Sequence, residues 1–447
     1  MNENLMISVS GVRGIVGESL TPLEIVKFAT AFGNFCKKGK VVMGSDTRPS
    51  KEMVKNAVVS GLLATGCKII DIGIAPTPTI AMATRNLKAK GGIAITASHN
   101  PIEWNALKFM DSQGMFLDSK KSLAQMVEKN CIKYENWKNL GEITTDQKQI
   151  EAHIEKILKL KYVNLSKIKE KKPKVVVDCV NGAGSIASVL LLEALGCKVI
   201  KLYCDIDGKF PRPPEPVPES LKDLCQKVIS SSADLGFALD PDADRLSLVS
   251  EKGIALGEEY TLALATKFIL SKKKGAVVVN QSTSRMIDDI AKNFKVTVHR
   301  TKVGEAHVAE RLKKVKGVIG GEGNGGVIFP SLHYNRDALV GMALILSYLC
   351  ESEKTLSQLA KEIPQYHIVK KFGRISQSFS GNLSKIRKIY KSEKQSEIDG
   401  LKIDTSDFWL HIRKSNTEPQ VRVIAEAKSK KEAERLAKKT LRMISKN

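Results

Sequence analysis

The sequence lacks most of the features that mark secreted, membrane or redox proteins. None of its eight cysteines forms a CxxC pair, and several lie in apolar stretches typical of buried thiols, which favours a reduced protein. No apolar run approaches the roughly 18 residues that cross a bilayer, and MNENLMISVSGVRG has no basic segment followed by an apolar one. We therefore expect a cytoplasmic protein without an export signal or a membrane partner.

Aromatic residues are scarce, at 5% of the chain, and neither glycine nor proline is enriched. With 42% hydrophobic residues, the composition excludes a disordered or fibrous protein. The chain has 71 Lys and Arg against 48 Asp and Glu, a net charge of +23 that favours anionic partners. A basic nucleic-acid-binding protein is the competing class, but it would need clustered cations interleaved with aromatics. Because the aromatics are scattered, we expect no nucleic-acid partner.

Strand-like and helical patterns alternate along most of the 447 residues. Strand-plus-loop units recur in KVVMGSDTRPS, CKIIDIGIAPTPT and GGIAITASHNP, and the same order restarts at PKVVVDCVNGAGS and at GAVVVNQSTSRM. This alternation predicts an α/β protein with three similar domains and mixed, largely parallel sheets. Beyond Tyr366 the pattern changes to short strands and a basic terminal helix, which indicates a smaller α+β domain that acts as a lid.

These changes of pattern predict domains at residues 1–145, 146–252, 253–365 and 366–447. The proline-rich stretch Pro211 to Ser220 is short and flanked by helical and strand patterns, so we interpret it as an ordered loop.

The segment ITASHNP places Ser98 and His99 directly after the apolar strand Gly92 to Ile95. Strand ends of α/β sheets usually carry ligand chemistry, and a serine there can act as a nucleophile or phosphoryl carrier. Lys108 follows a predicted turn at Trp104 to Ala106 and can return to the same pocket as an acid or base. A capping serine beside a surface histidine is the alternative.

The segment ALDPDADR again follows a strand-like run, and its three aspartates are spaced at i, i+2 and i+4. Such spacing in a loop converges the hard oxygen ligands that Mg²⁺ or Ca²⁺ requires. An EF-hand fits less well, because Arg245 replaces the turn glycine and a strand carries Glu251 away. Arg245 would add positive charge toward a phosphoryl oxygen. An Asx-rich turn without a metal is the alternative.

Two further segments have weaker signals. GGEGNGG, residues 320–326, allows close approach of backbone to a ligand, and Glu322 with Asn324 offers sugar-binding groups. RKSNTEPQVR, residues 413–422, combines cations, hydroxyls and amides around a turn, which suits a dianionic phosphate. A common glycine turn and a hairpin with incidental charges are the respective alternatives.

Together, TASHNP, DPDADR, the Gly-Glu loop and SNTEP, in this order, resemble the α-D-phosphohexomutase superfamily across essentially the whole chain. That family includes phosphoglucomutases, phosphomannomutases and phosphoglucosamine mutases. The resemblance implies three α/β domains of one topology and a fourth that closes over a central cleft. It also implies an isomerase that interconverts hexose 6-phosphate and hexose 1-phosphate through a phosphoserine and a hexose 1,6-bisphosphate.

By this resemblance Ser98 is the phosphoserine, with His99 its neighbour, Arg13 an active-site arginine and Lys108 the general base. One Mg²⁺ per chain is implied on Asp240, Asp242 and Asp244, with an oxygen on Ser98 completing the site and Arg245 beside it. The sugar loop is represented by Glu322 and Asn324. The phosphate loop is represented by Arg413, Ser415, Asn416, Thr417 and Arg422.

The chain departs from the common family pattern at four positions: Val9, Asn324, Gly326 and Asn416, which replace threonine, serine, histidine and glycine. VSGVRG, GGEGNGG and SNTEP look most like the phosphoglucosamine mutase branch, so glucosamine 6-phosphate is the expected substrate. Glucose and mannose phosphates remain alternatives, as does a phosphatase that releases the phosphoryl group to water. We expect a monomer or homodimer with a small phosphosugar as its partner.

Overall fold

The computed structural model of the chain describes residues 5–8, 11–129, 131–414 and 420–445. Within these ranges no helix has both the length and the apolar character that a membrane crossing requires.

The first part of the chain forms a seven-stranded sheet in the order β1-β2-β6-β5-β3-β4-β7. Strands β3, β4, β5 and β7 run parallel, whereas β6, β2 and β1 are each antiparallel to the preceding neighbour. The elements are β1 (Met6–Ser8), β2 (Gly11–Ile15), α1 (Pro22–Phe35), β3 (Lys40–Ser45), α2 (Lys51–Leu63), β4 (Lys68–Ile74), α3 (Thr77–Asn86), β5 (Gly91–Ile95), β6 (Trp104–Asp111), a π-helical turn (Lys120–Ala124), α4 (Gln125–Glu128), a 3₁₀ turn (Trp137–Asn139) and β7 (Glu142–Thr145).

The second part forms a four-stranded sheet in the order β11-β10-β8-β9, of which only β11 is antiparallel. Its elements are α5 (Gln149–Leu158), α6 (Leu165–Lys171), β8 (Lys174–Asp178), α7 (Gly184–Ala194), β9 (Lys198–Leu202), a 3₁₀ turn (Pro218–Ser220), α8 (Lys222–Ser230), β10 (Leu235–Leu239) and β11 (Leu246–Ser250).

The third part repeats this sheet in the order β13-β12-β14-β15, with β15 antiparallel. Its elements are α9 (Glu259–Lys272), β12 (Val277–Asn280), α10 (Met286–Phe294), β13 (Val298–Thr301), α11 (Glu305–Val315), β14 (Ile319–Glu322), β15 (Gly326–Ile328), α12 (Ala338–Ser352) and α13 (Leu356–Lys361).

One four-strand pattern therefore occurs three times, since β6-β5-β3-β4 in the first sheet matches the order of the second and third sheets. In each copy the strand that comes third along the chain is β5, β10 or β14. A loop connects it to the antiparallel strand that follows, β6, β11 or β15. The strands β5, β10, β12 and β14 are buried along their whole length, as expected for parallel strands covered by helices on both faces.

The fourth part is a five-stranded antiparallel sheet in the order β16-β20-β19-β18-β17. Its elements are β16 (His367–Arg374), α14 (Phe379–Ile389), β17 (Lys394–Ser396), β18 (Leu401–Asp404), β19 (Phe408–Lys414), β20 (Gln420–Ala427) and α15 (Lys430–Ile444). Helix α15 begins where the Ser429 side chain accepts a hydrogen bond from the Glu432 amide, a standard N-cap.

The hydrophobic cores separate the fourth part from the first three. One cluster of buried residues continues through the first three parts, from Ala94 through Phe237 to Leu344 in the central helix α12. The fourth part has a core of its own, including Ile403, Ile412 and Leu436. These cores and sheets confirm the predicted fold class, with three similar α/β parts and a smaller α+β part.

The predicted turn at Trp104 to Ala106 is wrong, because strand β6 begins at Trp104. Residues 104–107 pair with β2 on one side, and residues 107–111 pair with β5 on the other. This ladder between distant segments overrides the turn preference of Asn105. Glu251 does lie outside the aspartate loop as expected, since its carboxylate accepts hydrogen bonds from Ser357.

His411 of β19 joins the third and fourth parts. Its Nδ1 lies 2.9 Å from the Ser282 hydroxyl, and its Nε2 lies 2.5 Å from the Asp399 carbonyl. Burial lowers the pKa of His411 to about 4, with Asp399 opposing that shift and Lys402 and Arg413 adding to it. The imidazole is therefore neutral in the folded protein at pH 7.

This neutral, buried imidazole predicts acid sensitivity. In the unfolded chain His411 titrates near 6.5, so between about pH 6.5 and 4 the unfolded state binds the extra proton. As the pH is lowered through this window, the free energy of unfolding should decrease by up to about 1.4 kcal/mol per pH unit because of this residue alone. Urea unfolding of the native chain and His411→Gln at pH 7.5, 6 and 5 measures it, with exposed His367→Gln as the control. A difference between native and His411→Gln proteins that stays constant with pH would contradict the assignment.

Candidate active site

Three of the segments singled out from the sequence occupy equivalent places in the repeated sheet. Ser98 lies between β5 and β6, the aspartates of ALDPDADR between β10 and β11, and Asn324 between β14 and β15. All three loops leave the carboxyl end of a buried parallel strand, where α/β sheets bind ligands. The repeat therefore brings the three segments to one place.

Ser98 is held in an unusual backbone conformation. Its φ of 51° lies in the left-handed region, which is uncommon for a residue other than glycine. Its amide donates to the Thr96 hydroxyl at 2.9 Å, and its own hydroxyl donates to Asp240 Oδ2 at 2.7 Å. The Ser98 hydroxyl, 142 positions from Asp240 in sequence, is thus in direct contact with the aspartate loop.

Arg48, in the loop that follows β3, holds the Ser98 loop in place. Its guanidinium donates to the carbonyls of Ser98 at 2.7 Å and Asn100 at 2.6 Å, and its Nε donates to Asp46 at 3.1 Å. The side chain is fully buried. These contacts with loop carbonyls stabilise the strained conformation of Ser98.

Asp240, Asp242 and Asp244 are buried, and one carboxylate oxygen from each lies within 4.8 Å of the others. Oδ1 of Asp242 and Oδ1 of Asp244 accept no hydrogen bond from the residues that the structure describes. Burial, together with the two neighbouring carboxylates, raises the pKa of Asp240 well above its ordinary value. Buried, unpaired carboxylate oxygens are costly without a cation, so the chemistry of this set fits Mg²⁺.

Lys108 of β6 faces the same carboxylates. Its ammonium donates to Asp242 Oδ2 at 2.6 Å and lies 3.6 Å from Asp244 Oδ2. Burial lowers the pKa of Lys108, but the two aspartates outweigh that effect and raise it above its ordinary value. The Thr77 hydroxyl also donates to Asp242 Oδ2, at 2.6 Å.

Arg245 and His99 form a pair beside the aspartates. Arg245 Nη1 donates to Glu215 at 2.8 Å, and its Nη2 lies 2.8 Å from His99 Nδ1. Burial and the adjacent Arg245 lower the pKa of His99 well below its ordinary value, so the ring is neutral. With Nδ1 accepting from the guanidinium, the ring proton lies on Nε2 and can be donated. His99 is therefore a neutral hydrogen-bond donor rather than a cation.

Arg13 also contacts the Ser98 loop, where its guanidinium donates to the Asn100 side chain. Burial lowers the pKa of Arg13 to about 10, which leaves it charged at neutral pH.

In the sugar-loop segment, Glu322 is already engaged with the protein. It accepts hydrogen bonds from the Asn280 side chain at 2.7 Å, the Gly304 amide at 2.9 Å and Arg336 at 3.0 Å. The buried Oδ1 of Asn324 has no hydrogen-bond partner among the described residues.

Two arginines of the fourth part face the cleft. Arg413 and Arg422 lie opposite each other on β19 and β20. Nε and Nη1 of Arg413 and Nε of Arg422 are buried without a hydrogen-bond partner in the described part of the chain. Burial, with Arg422 nearby, lowers the pKa of Arg413. The unpaired N–H groups of these two arginines can donate to the oxygens of a bound anion. Ser415, Asn416 and Thr417, which were predicted to share the phosphate loop, lie outside the described residues.

These groups line one cleft of about 490 Å³ that all four parts of the chain enclose. Its lining includes Arg13, Ser98, His99, Lys108, Arg245, Glu322, Asn324, Arg413 and Arg422. The aspartates lie at its buried base, in contact with Ser98 and Lys108.

Three residues of the site escaped prediction: Arg48, Thr77 and Arg336. Arg48 had a signal, since SDTR follows a buried strand in the same way as ASHN does. Thr77 and Arg336 reach the aspartates from positions 165 and 92 residues away, with no local pattern.

Sequence models of one family match the chain in four consecutive pieces. They are described as phosphoglucomutase/phosphomannomutase alpha/beta/alpha domain I over residues 5–138, domain II over 151–253, domain III over 257–366 and C-terminal domain over 375–443.

Whole-length relatives agree with these matches. A Thermococcus kodakarensis protein named "Phosphoglucomutase/phosphomannomutase" is 41% identical over 95% of this chain and 94% of its own. A Methanopyrus kandleri protein named "Probable phosphoglucosamine mutase" is 38% identical over 96% of this chain and 95% of its own. The crystal structure of a phosphoglucomutase/phosphomannomutase family protein from Burkholderia thailandensis, 25% identical, superposes with a TM-score of 0.85 over 98% of both chains. The chain belongs to the phosphoglucomutase/phosphomannomutase family, within the α-D-phosphohexomutase superfamily.

Proposed function

We propose that this protein interconverts a hexose 6-phosphate and the corresponding hexose 1-phosphate, with Ser98 as the phosphoryl carrier. The observation that carries the proposal is the Ser98 hydroxyl, 2.7 Å from Asp240, at the base of a cleft lined by cations. Family membership supports the reaction class, since the relatives named above are mutases.

In the proposed cycle the resting enzyme carries phosphate on Ser98. The O1 or O6 hydroxyl of the bound sugar attacks that phosphorus, the bond to Ser98 Oγ breaks, and a hexose 1,6-bisphosphate forms. The bisphosphate then reorients within the cleft so that its other phosphate faces Ser98. Ser98 Oγ attacks that phosphorus, and the sugar oxygen that carried this phosphate leaves. The phosphoryl group is thus returned to Ser98, and the sugar keeps one phosphate on the other carbon.

We assign the proton transfers of this exchange to Lys108, which lines the cleft as an ammonium held by Asp242. It gives its proton to the oxygen that leaves phosphorus and takes the proton of the attacking hydroxyl, so it is an ammonium again after each transfer. The Asp240 carboxylate accepts the hydrogen bond of the Ser98 hydroxyl and orients Ser98 Oγ for attack on the bisphosphate. Each proton therefore has a donor and an acceptor in both directions.

Charge neutralisation is the larger task, because phosphoryl transfer depends mainly on positioning and electrostatics. A Mg²⁺ held by Asp240, Asp242 and Asp244 would supply positive charge against the phosphoryl oxygens beside Ser98. Arg245 and Arg13 add fixed positive charge, and His99 Nε2 adds a neutral donor.

The non-reacting phosphate is assigned to Arg413 and Arg422, whose buried nitrogens need an anion. Two arginines on rigid strands can hold either phosphate of the bisphosphate in the same way. We assign Glu322 and Asn324 to the sugar hydroxyls and propose glucosamine 6-phosphate as the preferred substrate. Specificity constants for glucosamine, glucose and mannose 6-phosphates, measured side by side, decide among the alternatives.

Removing the Ser98 hydroxyl should abolish the mutase reaction. We expect turnover of Ser98→Ala to fall by roughly three or more orders of magnitude, because no other described group replaces the carrier. The measurement follows sugar 1-phosphate and free phosphate together, and Ser185→Ala, a buried serine outside the cleft, is the control. Full activity of Ser98→Ala without added bisphosphate would refute the carrier role. Release of free phosphate beyond the isomerised sugar would favour the phosphatase instead.

Neutralising the fourth-part arginines should weaken substrate binding in both directions. For Arg413→Gln and Arg422→Gln we expect KM to rise roughly 10- to 100-fold for both hexose 6-phosphate and hexose 1-phosphate, since each loses charged hydrogen bonds. Initial rates in both directions provide the test. Arg435→Gln, on the exposed face of α15, is the control. An unchanged KM in either direction would contradict one shared phosphate site.

A further inference from the structure

Arg336 is a buried arginine that joins the aspartate loop to the sugar loop. Its Nη2 donates to Asp244 Oδ2 at 2.5 Å and its Nη1 to Glu322 Oε2 at 3.0 Å. Glu305 accepts from both the side-chain Nε at 2.9 Å and the backbone amide at 2.7 Å. One guanidinium thus contacts three carboxylates, from the second and third sheets and from the start of α11.

The contact with Asp244 leaves the two oxygens of that carboxylate in different states. Oδ2 is occupied by Arg336, while Oδ1 has no hydrogen-bond partner within the described residues. Glu322 is fixed in a similar way, because Oε2 accepts from Arg336 and Oε1 from Asn280. Arg336 therefore sets the direction of a metal-loop carboxylate and of a sugar-loop carboxylate at once.

Gly326 provides the space for this arginine. A Cβ placed on Gly326 would lie 2.2 Å from Arg336 Cδ and 2.9 Å from Cγ, with Asn324 Oδ1 next at 3.1 Å. Contacts under about 3 Å with carbon atoms cannot be accommodated without movement. A side chain at position 326 and the observed position of Arg336 therefore exclude each other.

The backbone beside Arg336 is anchored independently. Asp337 caps helix α12 by accepting from the Leu339 and Val340 amides at 2.8 and 3.3 Å. Its other oxygen, Oδ2, lies 3.0 Å from His153 Nε2 and 2.9 Å from His333 Nε2. The guanidinium is thus carried on a fixed support, as a precise contact requires.

We propose that Arg336 is a positioning residue that couples metal binding to sugar binding, in the space that glycine at position 326 leaves open. It orients Asp244 toward the metal and Glu322 toward the sugar, so its loss weakens both sites together. The inference rests on the proposed function, because it assigns Arg336 a part in that reaction. Lysine cannot replace it, since one ammonium lacks the fork that reaches three carboxylates.

The first test compares Arg336→Lys with Arg285→Lys. Arg285 is the matched control, because it is largely buried, donates to Asp404 and to three backbone carbonyls of the fourth part, and does not line the cleft. Mn²⁺ binding without sugar, measured by electron paramagnetic resonance of the free ion, should weaken roughly 10- to 100-fold in Arg336→Lys only. The KM for hexose phosphate should rise in the same variant. Native Mn²⁺ affinity and KM in a folded Arg336→Lys would overturn the proposal.

A double-mutant cycle tests the shared space. Gly326→Ala should weaken Mn²⁺ binding in the native background, because it displaces Arg336, but have no further effect in Arg336→Ala. Additive effects of the two substitutions would contradict displacement of Arg336. The Mn²⁺ measurement needs no turnover, so failure of the mutase reaction in the native protein and failure of this inference are distinguishable.

Discussion

Three carboxylates held within 4.8 Å of one another are the constraint on which the rest of the site depends. Like charges in a buried, weakly polarisable environment repel strongly, and they persist only where cations and hydrogen bonds compensate them. The compensation comes from each α/β part in turn: Lys108 from the first, Arg245 from the second and Arg336 from the third. These three cations therefore surround the aspartates only when the three parts are packed together, and the shared core of the parts keeps them so.

The repeated sheet explains why these groups meet. Each copy ends a buried strand in a loop and returns through an antiparallel strand, so one position in the pattern carries Ser98, the aspartates or Asn324. Contact between the loops is close: the Leu246 amide donates to the Gly325 carbonyl at 3.1 Å. Gly325 has a φ of 85°, and a Cβ there would lie 2.4 Å from the Leu246 carbonyl oxygen. Only glycine allows this approach. The fourth part has its own core and adds Arg413 and Arg422 over the cleft.

Sequence patterns predicted the parts of the site whose signal is local. Ser98 and the aspartates follow apolar strands, so their meeting at strand ends could be expected from the α/β alternation alone. Arg336 could not be found in this way, because its partners come from distant segments and a glycine ten residues earlier makes its space. The neutral state of His99 depends on burial and on Arg245, neither of which its neighbours in sequence reveal. The turn expected at Trp104 was wrong for the same kind of reason, since pairing with two distant strands fixes β6.

The proposed mechanism requires that the buried aspartates hold a divalent cation against the oxygen on Ser98. Anomalous diffraction from crystals soaked in Mn²⁺ tests it most directly. We expect one strong peak within about 2.3 Å of carboxylate oxygens from Asp240, Asp242 and Asp244, adjacent to Ser98 Oγ or to a phosphate on it. A well-occupied peak elsewhere in the cleft, with none at the aspartates, would contradict it.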